Sequence, residues 1–204
     1  MKNIFIFFFK ILKVYKKKRI KILIYEIFFS IKYFKTGNLF KIRSDSIMTD
    51  TIPSLYYFIH KISQFINKKK IKSAIDLGSG YGRITNFLND STKANIMGYE
   101  LDKGVFDISK KNKKTKVNLE NKNILDIDYK DLKLECFIIN DPLHNKSDLE
   151  YLIKKIQSSM NNFKEKYYLV GINIEKEKVH VFNDYKLLKL ISCGQLRSVR
   201  FYSN

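Results

Sequence analysis

The sequence predicts an α/β fold: a Rossmann-like, doubly wound sheet of about seven strands that ends in an antiparallel hairpin and is preceded by amphipathic helices. Three observations carry this. From Lys70 onward, short apolar runs alternate with helical patterns, as in parallel sheets covered by helices on both faces. The first run ends in an acid followed by a glycine-rich turn, Asp76-Leu77-Gly78-Ser79-Gly80-Tyr81-Gly82. The last two runs, Tyr185–Ser192 and Leu196–Tyr202, are joined by Cys193-Gly194-Gln195, which is too short for a crossover and suits a hairpin.

Taken in chain order, residues 1–36 form a basic amphipathic helical segment. They hold ten Lys and Arg against one acid, Glu26. Apolar residues recur there at helical spacing, from Ile4, Phe5, Phe8, Ile11 and Leu12 to Ile20, Leu23, Ile24, Ile27, Phe28 and Ile31. Two helices fit, broken near Lys16–Arg19. Lys10 and Lys13 interrupt the first run, and the second is shorter than the roughly 20 residues a bilayer-spanning helix needs, so no such span is expected. No small-residue cleavage site follows Phe5–Leu12, so a secretory signal is not expected either. The segment either packs on the following domain with its lysines in water or lies on an anionic membrane surface.

Residues 37–52 read as a connector, and residues 53–204 as the main domain. Thr51 can cap, and Pro53 can open, a helix to about Asn67 that buries Leu55, Phe58, Ile59, Ile62 and Ile66. Strands are expected at Ser73–Leu77, Asn95–Tyr99, Val117–Glu120, Leu134–Asn140 and Tyr167–Ile172. Helices are expected near Arg83–Leu88, Lys103–Lys110 and Asp148–Met160.

Composition narrows the function classes. The 204 residues are 45% apolar and 29% charged, with 8 Gly and 2 Pro, which excludes a disordered or collagen-like chain. Cys136 and Cys193 form no CxxC pair, and His60, His144 and His180 are scattered, so no metal site is expected. The formal net charge is +19, which would suit a nucleic-acid partner. Only five of the 39 basic residues are arginines, however, and specific readers of phosphates and bases favour the arginine fork. Nucleic acid is therefore the weaker expectation for a partner.

The chemistry-bearing residues lie at strand ends, where open α/β sheets bind their ligands. Gly78 and Gly80 lack a Cβ, so backbone can approach a ligand closely, and the helix start that follows favours a carboxylate. Asp76 can hold an ammonium group. The next strand ends in Glu100, 18 residues beyond Gly82, where a carboxylate can accept both hydroxyls of a ribose. Asn123 and Ile124 follow the third strand as a polar and apolar pair suited to an adenine edge and face. Asn140-Asp141-Pro142-Leu143-His144 follows the fourth. The glycine spacing is one residue short of the G-x-G-x-x-G of nicotinamide-binding units.

The run DLGSGYGR, followed by GYELDK, NILDID and NDPL, resembles the ordered motifs of class I S-adenosylmethionine-dependent methyltransferases. The resemblance covers about residues 50–204, and the terminal hairpin suits that fold. Within the superfamily the layout resembles small bacterial members with a basic apolar N-terminal segment. A more distant likeness is to membrane-associated protein-lysine methyltransferases. The resemblance implies S-adenosyl-L-methionine as cofactor, with Asp76, Gly78, Ser79 and Gly80 around its methionine moiety. It places Glu100 on the ribose and Asn123 with Ile124 by the adenine, and counts Leu101 and Asn140 among the cofactor-binding residues. Three positions depart from the patterns. Tyr81 replaces an acid, Asn123 replaces a frequent acid, and NDPL lacks the second proline and final aromatic of NPPY. The last departure points away from adenine or glutamine N-methylation.

Methyl transfer from a sulfonium needs alignment of donor and acceptor and exclusion of water rather than a metal. Asn140, Asp141 and His144 are the expected catalytic residues, with Asp141 or His144 able to take a proton from a hydroxyl acceptor. The expected activity is methyl transfer to a protein lysine, a small molecule or a glycan precursor. The alternatives are an RNA methyltransferase and a cofactor-binding protein that acts by association. The expected location is the cytoplasm, with peripheral attachment to the inner face of the membrane as the alternative to packing of residues 1–36 on the domain.

Overall fold

Seven strands form one sheet in the order β3-β2-β1-β4-β5-β7-β6 in a computed structural model that describes residues 19–33, 53–112, 117–161, 166–193 and 197–204. The strands are β1 (Ser73–Leu77), β2 (Asn95–Glu100), β3 (Asn118–Asn121), β4 (Cys136–Ile139), β5 (Tyr168–Ile172), β6 (Lys186–Ser192) and β7 (Ser198–Ser203). The first five run parallel, and β7 enters antiparallel between β5 and β6. This is the doubly wound, Rossmann-like architecture with a closing hairpin that the sequence predicts. The order reverses between β1 and β4, which puts a crevice at the carboxyl ends of those strands.

The helices are α1 (Arg19–Lys32), α2 (Tyr56–Lys69), α3 (Arg83–Ser91), α4 (Lys103–Asn112) and α5 (Lys146–Asn161). Strand alternation divides the core into two layers. Cys136 and Ile138 of β4 face a cluster formed with α1, α2 and α3, whereas Phe137 and Ile139 face a cluster formed with α5. Fully buried side chains such as Phe137 and Leu152 each contribute roughly 1.5–3 kcal/mol by leaving water.

The predicted first helix near residues 4–15, the connector at 37–52, the Thr51 cap and most of the hairpin turn lie outside the described residues. Among the described residues, no helix is long and apolar enough to cross a membrane. Two expectations about the remaining N-terminal helices are corrected. α2 begins at Tyr56 rather than Pro53, and its N-cap, Leu55, makes no side-chain cap. The Tyr56 amide instead donates to the carboxylate of Glu26 on α1, so the cap comes from another helix and fixes where α2 starts. The five expected buried positions of α2 are all buried.

α1 does pack on the domain, through Ile22, Glu26 and Tyr33 and through Phe29 against Tyr56 and Phe87. Its outward face is not a row of lysines. Ile20, Ile24, Ile27, Phe28 and Ile31 are exposed, because the helix is apolar on both sides and Glu26 selects the inward one.

Candidate functional site

β1 delivers Asp76 to the middle of the sheet, in register with Gly98 of β2. The chain then reverses, and the amides of Gly78 and Ser79 donate to the Tyr99 carbonyl at 2.9 and 2.8 Å. Gly78, Gly80 and Gly82 take φ values of 80°, 55° and 78°. At Gly78 the close approach matters as much as the conformation, since a Cβ there would stand 2.5 Å from the Pro142 Cβ. The loop after β1 thereby touches the loop after β4. At Gly98 a Cβ would meet Leu119 Cδ2 at 2.7 Å and Thr85 Oγ1 at 3.0 Å, so this glycine leaves room for the Thr85 hydroxyl beside Asp76.

That hydroxyl donates to Asp76 Oδ2 at 2.9 Å. Oδ1 is equally buried and has no hydrogen-bond partner among the described residues, and the same holds for Ser79 Oγ. Burial pushes the Asp76 carboxyl up to about 7; the Thr85 hydrogen bond opposes the shift, and the nearby charge of Glu100 adds to it. Glu100 is buried as well. Its carboxylate accepts from the Gly80 amide at 2.8 Å and the Asp102 amide at 2.9 Å. The two acids therefore converge on one glycine loop from adjacent strands. Asn121 holds the exit of β2, donating to the carbonyls of Glu100 and Leu101 at 2.7 and 2.8 Å.

Leu101 is exposed at the tip of β2, and Ile124 is buried beyond β3. Tyr129 donates its hydroxyl to the Ile124 carbonyl at 2.7 Å. Asn123 is occupied locally: its side chain accepts from the Leu125 amide at 3.1 Å and donates to Asp126 at 2.9 Å, an Asx turn.

On the other side of the crevice, β4 and β5 end in residues with left-handed backbone, Asp141 at φ 39° and Asn173 at φ 53°. Asn173 donates to Asn140 Oδ1 at 3.3 Å. The Asp141 carboxylate accepts from Lys178 Nζ at 3.1 Å, and the same ammonium reaches the Leu143 carbonyl and Glu175, each at 3.0 Å. Lys178 is buried; burial disfavours its charge, but Glu175 and Asp141 outweigh that and hold its pKa above the ordinary lysine range. His144 is exposed. The Gly78–Pro142 approach thus sets the loop that carries Asn140 and Asp141 beside the glycine loop, while His144 further along it faces solvent.

Sequence reasoning missed Lys178, Glu175 and Asn173, which reach Asp141 and Asn140 from the segment after β5. It also missed a third buried acid. Glu26 of α1 pairs with Arg83, the first residue of α3, and the Arg83 guanidinium lies 3.7 Å from the centre of the Tyr56 ring. Burial pushes the Glu26 carboxyl upward against the opposing pull of Arg83 and the Tyr56 amide. One sequence signal for the pair existed: Glu26 is the lone acid of the first 36 residues.

Among the described residues, no group of three or more His, Cys, Asp or Glu side chains could hold a metal ion. A family profile described as "Methyltransferase domain" matches residues 75–162, the stretch from β1 to the end of α5. A ribosomal RNA small subunit methyltransferase A from Wigglesworthia glossinidia brevipalpis is 37% identical over 111 residues; the match covers 53% of this chain and 40% of that protein. The chain thus spans two-fifths of the length of that relative. Among solved structures, the N-methyltransferase NodS from Bradyrhizobium japonicum WM9 aligns with a TM-score of 0.59 at 10% identity, over 72% of this chain and 95% of that one. An RNA methyltransferase from Salinibacter ruber, crystallised with S-adenosyl-L-homocysteine, aligns with a TM-score of 0.55 at 14% identity, over 74% and 93%. These likenesses show a shared fold.

Proposed function

We propose that this chain, whose residues 75–162 match a methyltransferase-domain profile, is a class I S-adenosylmethionine-dependent methyltransferase that transfers a methyl group from that cofactor to an acceptor seated over the loops after β4 and β5. One observation carries the reading: Asp76 and Glu100 meet at the glycine loop while a buried oxygen of Asp76 is left without a partner.

The residues present fit S-adenosyl-L-methionine, the cofactor the domain implies. An unpartnered carboxylate oxygen and an unpartnered Ser79 hydroxyl at the same loop match the ammonium and carboxylate of an amino acid. A buried polar group left unsatisfied costs about 1–3 kcal/mol, and a ligand that satisfies it recovers that. Glu100 serves the ribose. A carboxylate offers about four lone-pair directions, so its amide bonds are compatible with ribose hydroxyls. Leu101 and Ile124 offer apolar surface to the adenine, and the Asn123 turn lies beside them. When bound, the cofactor supplies an electrophilic methyl group on a sulfonium sulfur.

The chain's own residues then position and desolvate. Asn140, steadied by Asn173, and Asp141, held by Lys178, form the floor on which an acceptor atom is aimed at the methyl carbon. Because Asp141 already accepts from an ammonium, its role is to place groups. His144, exposed on the loop after β4, is the residue available to take a proton from a hydroxyl acceptor.

The acceptor classes that suit this floor are a protein lysine, a small molecule or a glycan precursor, met in the cytoplasm with the chain attached peripherally to the inner membrane face. An RNA acceptor is a second reading, favoured by the 37% identity to a ribosomal RNA methyltransferase.

Calorimetry with S-adenosyl-L-homocysteine tests the cofactor site. Binding is expected, and Glu100→Gln is expected to weaken it by about tenfold or more, the worth of hydrogen bonds to a charged group. No binding to the parent chain at millimolar ligand would defeat the proposal.

A further inference from the structure

We propose that the outer face of α1, with the lysines beside it on α2 and β6, is a docking surface for an anionic lipid bilayer. This rests on the peripheral placement proposed above and names the surface that carries it.

The first observation is the direction of the apolar residues. α1 buries Ile22 and Glu26 inward, as does Tyr33 just after it, yet Ile20, Ile24, Ile27, Phe28 and Ile31 are 75%, 58%, 45%, 61% and 73% exposed. Their spacing places them on one stripe about 16 Å long on a helix rising 1.5 Å per residue. A helix that only completes a soluble core turns mainly polar residues to water, whereas this one turns five large apolar residues there beside Lys21 and Lys32.

The second observation is charge. The one acid of α1, Glu26, is buried against Arg83, and neither α2 nor β6 contains an acid. Between α2 and the hairpin lies a groove of about 690 Å³ lined by Lys61, Lys68, Lys69 and Lys189 over Phe65 and Phe201. Lys61 is crowded by cations: burial, then the charges of Lys21 on α1 and Lys189 on β6, lower its pKa. Lys21 thereby links the start of the apolar stripe to this cluster. At the far end of α1, Asp90 is engaged with Tyr33 and Lys32.

Apolar side chains flanked by lysines match the acyl boundary and headgroups of an anionic leaflet together. A nucleic acid would satisfy the lysines but not the stripe, where Phe28 is the lone aromatic that could stack on a base. A second copy would satisfy the stripe, but two chains of formal charge +19 repel one another.

The test is flotation of the full chain with vesicles of phosphatidylcholine alone and of phosphatidylcholine with about a third phosphatidylglycerol, alongside calorimetry with S-adenosyl-L-homocysteine. The parent chain is expected to float with the anionic vesicles and not with the neutral ones. Ile24→Asp with Phe28→Asp is expected to reduce recovery about tenfold or more, as is Lys21→Gln with Lys61→Gln and Lys189→Gln, with ligand binding retained in both. Because aspartates on α1 can disturb its packing, a second readout uses Phe28→Cys carrying a polarity-sensitive dye. Its emission is expected to shift to the blue on anionic vesicles, whereas a dye at Tyr151→Cys on α5 is expected not to respond.

Flotation of the Ile24→Asp, Phe28→Asp variant at parental levels, or a silent dye at residue 28, would overturn the proposed surface and leave peripheral attachment standing through another segment. Failure of the parent chain to float with either vesicle would overturn both. Lipid-independent self-association abolished by the same variant would assign the stripe to a second copy and overturn the proposal. Ligand binding reports on the methyltransferase reading separately in every case.

Discussion

The two sides of the crevice are built from the same kinds of residue but are electrostatically unlike. After β1 and β2, Asp76 keeps a buried oxygen without a partner and its carboxyl is pushed up to about 7. After β4 and β5, Asp141 is already bonded to a buried lysine that also holds Glu175. An unmet charged group buried at a glycine loop on a strand end marks a place for a ligand, because a fold keeps such a group at a cost of about 1–3 kcal/mol. The paired Asp141, Lys178 and Glu175 indicate a framework, although the neighbouring Asn173 keeps a buried Oδ1 without a hydrogen-bond partner among the described residues. The first side is therefore read as the cofactor grip and the second as a positioning wall.

Substitutions that separate stability from ligand binding can break this comparison. The largest stability effect is expected for Lys178→Met, which strands Asp141 without its cation. Breaking a buried pair costs about 3 kcal/mol or more, read as a fall in the urea midpoint, while affinity for S-adenosyl-L-homocysteine stays close to parental. An equal loss of affinity would make the two sides one unit. Gly78→Ala comes next, since it adds a Cβ that meets Pro142 at the seam and requires a left-handed alanine. About 2 kcal/mol of stability is expected to be lost, and here affinity is expected to fall as well. Asn123→Ala is expected to have the smallest effect, about threefold or less in affinity, because that side chain is occupied by its own turn.

The same contrast explains what could be read from the chain. The meeting of Asp76 and Glu100 at the glycine loop was legible because its parts are local: an acid, three glycines and a second acid follow one another along two adjacent strands in a spacing that the sequence displays. The parallel sheet and the closing hairpin were legible for the same reason, since each rests on short alternating runs. The positioning wall was not. Lys178 reaches Asp141 across 37 residues of sequence from a 3₁₀ segment, Lys176–Phe182, that carries no periodic pattern. β4 was expected over Leu134–Asn140 and spans Cys136–Ile139, within a stretch bounded by left-handed Lys133 and Asp141. Periodicity found the apolar stripe of α1 but could not give its direction. The decision between two apolar faces fell to Glu26 and Arg83, which are 57 residues apart.

The shifted carboxyl of Asp76 also fixes the sign of a pH dependence. Its folded pKa of about 7 lies above the ordinary value of 3.8, so folding favours the protonated acid. The stability it contributes is complete below about pH 4 and is lost as the pH rises through about 7, levelling off above that. A ligand ammonium at Asp76 reverses the preference by favouring the carboxylate, so binding below pH 7 must expel the proton.

Calorimetry of S-adenosyl-L-homocysteine binding in pairs of buffers with different ionisation enthalpies counts that proton. Release approaching one proton near pH 6, about half near pH 7 and almost none near pH 8 follows from the carboxyl titrating at about 7, and Asp76→Asn is expected to abolish it. Binding with a proton count that is flat across this range and unchanged in Asp76→Asn would place the ammonium elsewhere and contradict the account.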